Sequence, residues 1–159
     1  MNPLPEFVAV LDNIRSLHNV GAIFRTADGA GVRKLYLCGM TATPPRAEIR
    51  KAALGAEESV AWEYSPTTQE ALAALKRAGY ALFALESTAT STDYRACAYR
   101  FPLALIVGHE FDGISPAILA QCDGVMALPM RGRKHSLNVA VAFGIAAYEI
   151  AGRLSAEGK

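Results

Sequence analysis

Polar residues that could bind and orient a ligand gather in four short segments of this 159-residue chain. Each segment directly follows an apolar run that is typical of a β-strand. The segments are 13–19, 86–88, 108–113 and 129–138, and they hold most of the functional polar side chains and three of the 13 glycines. Ligands of open parallel sheets bind beyond the carboxyl ends of the strands, where such segments meet. We therefore expect the four segments to form one site.

Several common sites are excluded by spacing. Gly29 and Gly31 begin a GxG pattern, but the third glycine is missing and the pattern follows a helix, so no dinucleotide fingerprint is present. The sequence has neither a phosphate-binding GxxxxGK[ST] loop nor a GxSxG nucleophile elbow. His18, His109 and His135 lack the spacing of metal ligands, so we expect no metal.

The elements that must position the four segments alternate between strand and helix. Short apolar runs predict strands at Phe7–Leu11, Lys34–Cys38, Val60–Tyr64, Ala81–Leu85, Leu103–Val107 and Gly124–Leu128. Helical spacing and capping residues predict helices at Asn19–Ala30, Ala47–Leu54, Ser65–Gly79, from Ser115–Pro116 onward, and at Ser136–Leu154. This alternation predicts an α/β domain, in which a mostly parallel sheet is covered by helices on both faces.

Some predicted helix starts depend on single residues. Ser65 before Pro66 and Ser115 before Pro116 have the pattern of a serine cap followed by proline in the first turn. Asn19 and Ser136 are candidate caps of the first and last helices. The last helix is apolar on nearly every side, which predicts burial on more than one side and a partner subunit as its second cover.

Length and composition favour one domain over residues 1–159. Hydrophobic residues make up 52% of the chain and charged residues 19%, which excludes disorder over most of it. The N-terminus has no secretory signal pattern, and the apolar runs look too short to cross a bilayer, so we expect a cytoplasmic protein that binds no membrane. The three cysteines are expected to be reduced thiols. A net charge of +1 argues against nonspecific nucleic-acid binding, although a local basic patch stays open.

Three sequence blocks, taken together, carry a family resemblance. They are the segments 19–27 (NVGAIFRTA), 106–115 (IVGHEFDGIS) and 128–142 (LPMRGRKHSLNVAVA). Their order, spacing and placement on strands and helices resemble the three motifs of the SpoU (TrmH-like) branch of the SPOUT RNA methyltransferases. The resemblance extends from Phe7 to about Arg153. One departure is His109, which stands where many members have Asn or Pro.

The resemblance implies an α/β fold whose C-terminal part forms a deep trefoil knot. It also implies a homodimer through the last helix, and methyl transfer from S-adenosyl-L-methionine to a ribose 2′-hydroxyl of RNA. The catalytic residues it implies are Asn19, Arg25, Glu110, Ser136 and Asn138. The cofactor residues it implies are Leu85, Glu86, Gly108, Glu110, Leu128, Met130, Ser136 and Leu137. At Gly108, the missing side chain would let the backbone approach a ligand closely.

The basic residues near the motifs are candidates for RNA contact: Arg15, Arg25, Arg131, Arg133 and Lys134. Arginine stays protonated in proteins, so we expect Arg25 to grip phosphate and ribose rather than act as a base. Short relatives of this kind favour tRNA over rRNA as the substrate. The alternatives are an rRNA methyltransferase, a noncatalytic RNA-binding module and, least of all, a nucleotide-dependent oxidoreductase. The alternatives without a functional role are that Arg25 is a surface cation and Glu110 a solvated loop residue. The basic residues from Arg131 to His135 would then form an ordinary exposed loop.

Overall fold

The seven strands in the described part of the chain all lie parallel in one sheet. The computed structural model describes residues 5–158. The strands are β1 (Phe7–Asp12), β2 (Lys34–Cys38), β3 (Ala61–Ser65), β4 (Ala81–Leu85), β5 (Thr92–Asp93), β6 (Leu103–Gly108) and β7 (Gly124–Ala127). Their order across the sheet is β3-β2-β1-β6-β4-β7-β5. The parallel α/β prediction is confirmed, and this strand order is consistent with the knot, whose threading stays a prediction.

The helices lie on both faces of the sheet, as predicted. They are α1 (Leu17–Ala30), α2 (Ala47–Ala53), α3 (Ala56–Ser59), α4 (Thr68–Arg77), α5 (Pro116–Leu119) and α6 (Val139–Glu157). β1 is buried along its whole length, because alternate residues point into two separate cores. Ala9 and Leu11 pack in the core that also contains Phe24 of α1 and Phe143 of α6. Val10 packs in the other core, which contains residues of α4 and α5.

One predicted helix start is wrong. Ser65 does not cap α4, because it extends β3 and pairs with Cys38 at the end of β2. The cap is Thr67, whose Oγ1 accepts a hydrogen bond from the backbone N–H of Glu70 at 3.2 Å. Ser115, by contrast, caps α5 with Pro116 in its first turn, as predicted. The short elements α3 and β5 were not predicted, since four and two residues are too short to show a hydrophobic period.

The last helix begins and ends three residues later than predicted, and one of its sides is exposed. α6 has 19 residues, and by length and composition alone it could cross a membrane, so the exclusion by length is wrong. One of its sides, with Phe143 and Ile150, is completely buried in the core of the domain. The other side carries Val141, Ile145 and Tyr148, which are 53%, 39% and 57% exposed. The expectation of burial on more than one side therefore does not hold within a single chain.

Candidate active site

A cavity of about 280 Å³ lies where β4, β6 and β7 end and α6 begins. Because these strands are parallel, the segments that follow them meet at one edge of the sheet. All the residues predicted to bind a cofactor line this cavity: Leu85, Glu86, Gly108, Glu110, Leu128, Met130, Ser136 and Leu137. Apolar side chains alternate with carboxylates and hydroxyls along its wall. The site therefore suits a ligand that has both apolar and polar parts.

Two glycines and one carboxylate shape the wall after β6. Glu86 Oε2 accepts a hydrogen bond from the backbone N–H of Ile114 at 2.7 Å. A Cβ on Gly113, which has a φ of +67°, would lie 2.3 Å from that oxygen. A Cβ on Gly108 would lie 2.5 Å from Ile114 Cγ1 and 2.9 Å from the backbone carbonyl carbon of Gly113. Gly108 is therefore required by the loop packed on it, a reason that the sequence alone did not give.

The Glu110 carboxylate joins the second motif to the first and, through Asn19, to the third. Its Oε2 and Oε1 accept from the backbone N–H groups of Arg15 and Ser16, each at 3.1 Å. Asn19 Nδ2 donates to Glu110 Oε1 at 3.3 Å, and Asn138 Nδ2 donates to Asn19 Oδ1 at 3.2 Å. The reading of Glu110 as a merely solvated loop residue is therefore wrong. Glu110, Asn19 and Asn138 hold the three motifs in register, which is a positioning role.

The caps of α1 and α6 differ from those suggested by the sequence. Ser16, rather than Asn19, caps α1, and its Oγ accepts from the backbone N–H of Asn19 at 3.1 Å. Asn138, rather than Ser136, caps α6, and its Oδ1 accepts from the N–H groups of Ala140 and Val141. Ser136 is exposed and lines the cavity. Its hydroxyl therefore has no capping role.

Glu110 is held as a carboxylate by its hydrogen bonds. Burial alone would raise the pKa of Glu110, but the backbone N–H groups of Ser16 and Arg15 and the amide of Asn19 outweigh burial and lower it. A carboxyl group with a lowered pKa is a poor general base at neutral pH. The stability it contributes is present above the pKa of an unfolded glutamic acid, about 4.3, and is lost as the pH falls through the lower folded value.

Glu110→Gln is expected to destabilise the protein by roughly 1–3 kcal/mol at neutral pH, because a single amide oxygen replaces two charged acceptors. The difference from the unchanged protein should shrink as the pH falls below about 4.3 and through the lower folded pKa of Glu110, where Glu110 itself becomes neutral. Urea unfolding at several pH values measures both effects. Glu6→Gln, at an exposed side chain, is the control. Equal losses for the two variants, or a loss that does not depend on pH, would contradict the role of Glu110.

Arg25 lies outside the cavity. It is exposed on α1 and borders a separate groove with His18, Lys51 and Tyr148. The side of α6 that carries Tyr148 is the exposed apolar side. Within one chain, the structure brings together Asn19, Glu110, Ser136 and Asn138, but it does not bring Arg25 to them.

The remaining predicted RNA-binding residues are exposed. Arg131, Arg133 and Lys134 lie in the loop between β7 and α6, next to the cavity-lining residues Met130 and His135. Arg15 is exposed in the segment before α1, where only its backbone N–H contacts Glu110. All four cations are at the same edge of the sheet as the cavity. Their location is compatible with a nucleic-acid backbone approaching its mouth.

Further residues line the cavity but were not among the predicted cofactor or catalytic residues: Ser87, Val107, His109, Phe111, Gly113, Ala127, His135, Val139 and Ala142. Most of them neighbour predicted residues, so proximity in sequence was the signal available. Phe111 is 86% exposed, an unusual position for a large apolar side chain. Within residues 5–158, no three His, Cys, Asp or Glu side chains are grouped closely enough to hold a metal ion.

Comparison with known proteins agrees with this site. Residues 6–148 match the model of the SpoU rRNA methylase family. The chain is 32% identical over 145 residues to the tRNA (guanosine(18)-2′-O)-methyltransferase of Thermus thermophilus, covering 91% of this chain and 74% of that enzyme. It spans 57% of a TrmH-family protein from Staphylococcus haemolyticus. The curated relatives therefore extend beyond the region they share with this chain.

Two solved structures add to the comparison. An AdoMet-bound rRNA methyltransferase from Sinorhizobium meliloti is 31% identical, with a TM-score of 0.88, and the match covers 97% of this chain and 59% of that one. A protein studied for 2-OH methylation of C/U34 on tRNA is 28% identical, with a TM-score of 0.83. That match covers 96% of this chain and 99% of the other, so the two chains have nearly the same extent.

Proposed function

The chain belongs to the SpoU rRNA methylase family, and from that membership we propose that it transfers a methyl group from S-adenosylmethionine to a ribose 2′-hydroxyl of tRNA. The observation that carries the proposal is the cavity, because every residue predicted to bind the cofactor lines it. The hydrogen-bonded junction of Glu110, Asn19 and Asn138 supports it further, since it joins the three motifs at that cavity.

The choice of tRNA is supported by two of the compared proteins. The Thermus relative is named a tRNA 2′-O-methyltransferase, and the structural neighbour of nearly equal extent is described for position 34 of tRNA. The Sinorhizobium neighbour is named an rRNA methyltransferase, so rRNA is the alternative substrate.

S-adenosylmethionine, when bound, supplies a methyl group on a positively charged sulfur that is open to nucleophilic attack. The apolar residues of the cavity, such as Leu85, Leu128 and Leu137, would pack against the apolar parts of the ligand. Ser136 offers a hydroxyl at the cavity wall that can orient a polar group by a hydrogen bond. Alignment of this kind can contribute about 7–11 kcal/mol to lowering a barrier.

The proton of the 2′-hydroxyl has no base among the positioned carboxylates. Both oxygens of Glu110 and both oxygens of Glu86 accept backbone N–H groups. Arg25 is a permanent cation, so we assign it a bidentate grip on the phosphate and ribose beside the reacting oxygen. The proton then leaves by way of phosphate or water.

A homodimer through α6 would bring Arg25 to a site. Arg25 borders a groove whose wall includes Tyr148 of the exposed apolar side, so a second copy docked on that side would stand beside Arg25. Val141, Ile145 and Tyr148 are spaced by four and three residues and form one continuous stripe. Exposed apolar stripes of this kind favour association between subunits.

Ile145→Glu is expected to convert the dimer to monomer, because it places a charge in the centre of the stripe. Light scattering on a sizing column measures the mass, and methyl transfer should fall in parallel. Glu149, four residues further along and paired with Arg153, provides the control Glu149→Gln. A stable Ile145→Glu dimer would exclude this stripe as the interface.

Alanine at Arg131, Arg133 and Lys134 together is expected to weaken tRNA binding at low salt. It should also lower the slope of log affinity against log salt by about 2, because each phosphate contact releases a counterion. Filter binding over a range of salt concentrations measures the slope. The control is alanine at Arg33, Lys76 and Arg77, three exposed cations at the opposite edge of the sheet. An unchanged slope for the loop variant would remove these cations from the RNA interface.

The proposal is tested by calorimetry with S-adenosylmethionine and with NAD, followed by transfer of labelled methyl to purified tRNA and rRNA. We expect binding of S-adenosylmethionine alone and label in tRNA. Label found in rRNA and not in tRNA would identify rRNA as the substrate. Cofactor binding without label in either RNA would favour a noncatalytic module.

A further inference from the structure

The loop after β6 folds around the side chain of His109. This side chain is 11% exposed and its residue lines the cavity. Its Nδ1 accepts hydrogen bonds from the backbone N–H groups of Phe111 at 3.1 Å and Asp112 at 3.0 Å. The backbone carbonyl of His109 accepts from the N–H of Gly113 at 2.9 Å, which closes the turn. One ring nitrogen therefore organises the whole loop.

Such an arrangement requires the neutral ring. A nitrogen that accepts two hydrogen bonds cannot itself carry a proton, so the neutral His109 ring has its hydrogen on Nε2. A protonated Nδ1 would face two N–H donors and would need a new acceptor. Asp112 Oδ2 lies 3.6 Å from Nδ1 and is the acceptor at hand. Protonation would exchange the two loop hydrogen bonds for an ion pair with the exposed Asp112 side chain.

The loop matters because it forms one wall of the cavity. Glu110 and Phe111 belong to it and line the cavity, and the N–H of Ile114, just beyond the loop, is bonded to Glu86 across the wall. Loss of the two bonds to His109 frees this wall to move. The cofactor-binding surface and the Glu110 junction would both be affected.

We propose that His109 is a positioning residue whose neutral Nδ1 holds the cavity wall in its binding form, so that affinity for S-adenosylmethionine falls as His109 takes up a second proton. This inference rests on the proposed function, because it concerns the cofactor of the same site. It assigns to His109, the residue that departs from the pattern of its relatives, the role of a loop acceptor.

Several charged or titratable groups surround His109. Asp112 and Glu110 lie in its own loop, Glu86 comes from the end of β4, and His135 lines the cavity from the loop after β7. Asp12, at the end of β1, is buried, which raises its pKa, while its hydrogen bond with Thr68 and the charge of His109 lower it. These carboxylates favour the charged ring, whereas the loop N–H groups favour the neutral ring. Uptake of a proton at Nδ1 therefore removes the acceptor on which this wall depends.

His109→Asn separates the two properties of the ring. An asparagine oxygen accepts from the N–H groups two and three residues ahead, as in an Asx turn, but it does not titrate. His109→Leu removes the acceptor altogether. His18→Asn, an exposed histidine of α1 outside the cavity, is the matched control for changes in charge.

The experiment is calorimetric titration with S-adenosylmethionine at several values between about pH 8 and pH 5.5. We expect affinity of the unchanged protein and of His18→Asn to fall about tenfold or more over this range, the loss expected from two neutral hydrogen bonds. His109→Asn should match the unchanged protein at pH 8 and stay nearly constant. His109→Leu should bind about tenfold more weakly at pH 8. In steady-state assays the pH effect should appear in KM for the cofactor rather than in kcat.

Results that contradict the role of His109 differ from the result that contradicts the proposed function as well. A pH dependence of His109→Asn equal to that of the unchanged protein, or full affinity in a folded His109→Leu, overturns the role of His109 alone. Absence of binding by the unchanged protein at pH 8 overturns both this inference and the proposed function.

Discussion

Arg25→Ala is expected to lower methyl transfer to tRNA by about a hundred- to a thousandfold, the range found when one hydrogen-bond donor that stabilises a transition state is removed from an active site. Affinity for S-adenosylmethionine should stay unchanged, because Arg25 lies outside the cavity. Arg25→Lys should be almost as inactive, since an ammonium group cannot replace a bidentate guanidinium. Single-turnover transfer of labelled methyl, with calorimetry alongside, measures the two quantities separately.

Arg33→Ala is the matched control for Arg25, because Arg33 is an exposed arginine at the opposite edge of the sheet. Its transfer rate should equal that of the unchanged protein. Near-normal turnover by Arg25→Lys would rule out the bidentate grip. Near-normal turnover by Arg25→Ala would show that Arg25 is a surface cation without a role in methyl transfer.

Gly108→Ala is expected to weaken binding of S-adenosylmethionine by roughly ten- to a hundredfold. The added Cβ would lie 2.5 Å from Ile114 Cγ1 and 2.9 to 3.0 Å from the Gly113 carbonyl group, so the wall of the cavity must shift. Overpacking of this kind typically costs about 1–3 kcal/mol. Calorimetry measures the affinity, and thermal unfolding shows how much of the cost falls on the folded protein itself.

Gly132→Ala is the matched control for Gly108, because no atom outside its chain neighbours lies within 4 Å of its added Cβ. It should bind the cofactor like the unchanged protein. Unchanged affinity in a folded Gly108→Ala would show that this wall does not have to hold its position for the cofactor to bind.

The location of the site could be predicted from the sequence because it follows from strand order alone. Leu85, Gly108 and Leu128 each end or follow an apolar run, and the ends of parallel strands meet at one edge. No tertiary contact had to be known. The lining residues that were missed, such as Ser87 and Phe111, depend on how the loops fold back over that edge. Loop conformation of this kind is set by hydrogen bonds between distant residues, such as Glu86 with Ile114.

The two helix caps could not be chosen from the sequence for a similar reason. The segments 16–19 (SLHN) and 136–138 (SLN) each offer a serine and an asparagine as the cap. The side chain of Asn19 is bonded to both Glu110 and Asn138, which leaves Ser16 to cap α1. Asn138 can cap α6 and still donate to Asn19, because its oxygen and nitrogen serve different partners. Hydrogen bonds to residues that are distant in sequence therefore determine which of two residues with similar capping propensity caps each helix.

The last helix, α6, was predicted from its apolar sequence to be covered on more than one side, with a partner subunit as the second cover. A helix that is apolar on nearly all sides predicted two covers, and the structure provides one through Phe143 and Ile150. The stripe of Val141, Ile145 and Tyr148 is left exposed beside the groove of Arg25. A second copy of the chain, as proposed above, would cover this stripe and would also bring Arg25, the proposed catalytic residue, to a site.

The chemical position of the transferred methyl group distinguishes methylation of a ribose from methylation of a base. Unmodified tRNA is incubated with the protein and labelled S-adenosylmethionine, and the product is hydrolysed in alkali, which cannot cleave next to a 2′-O-methyl ribose. We expect the label in an alkali-resistant dinucleotide, and almost none with Arg25→Ala, because the proposed acceptor is a ribose 2′-hydroxyl. Label recovered in ordinary mononucleotides, as a methylated base would give, would contradict this proposal.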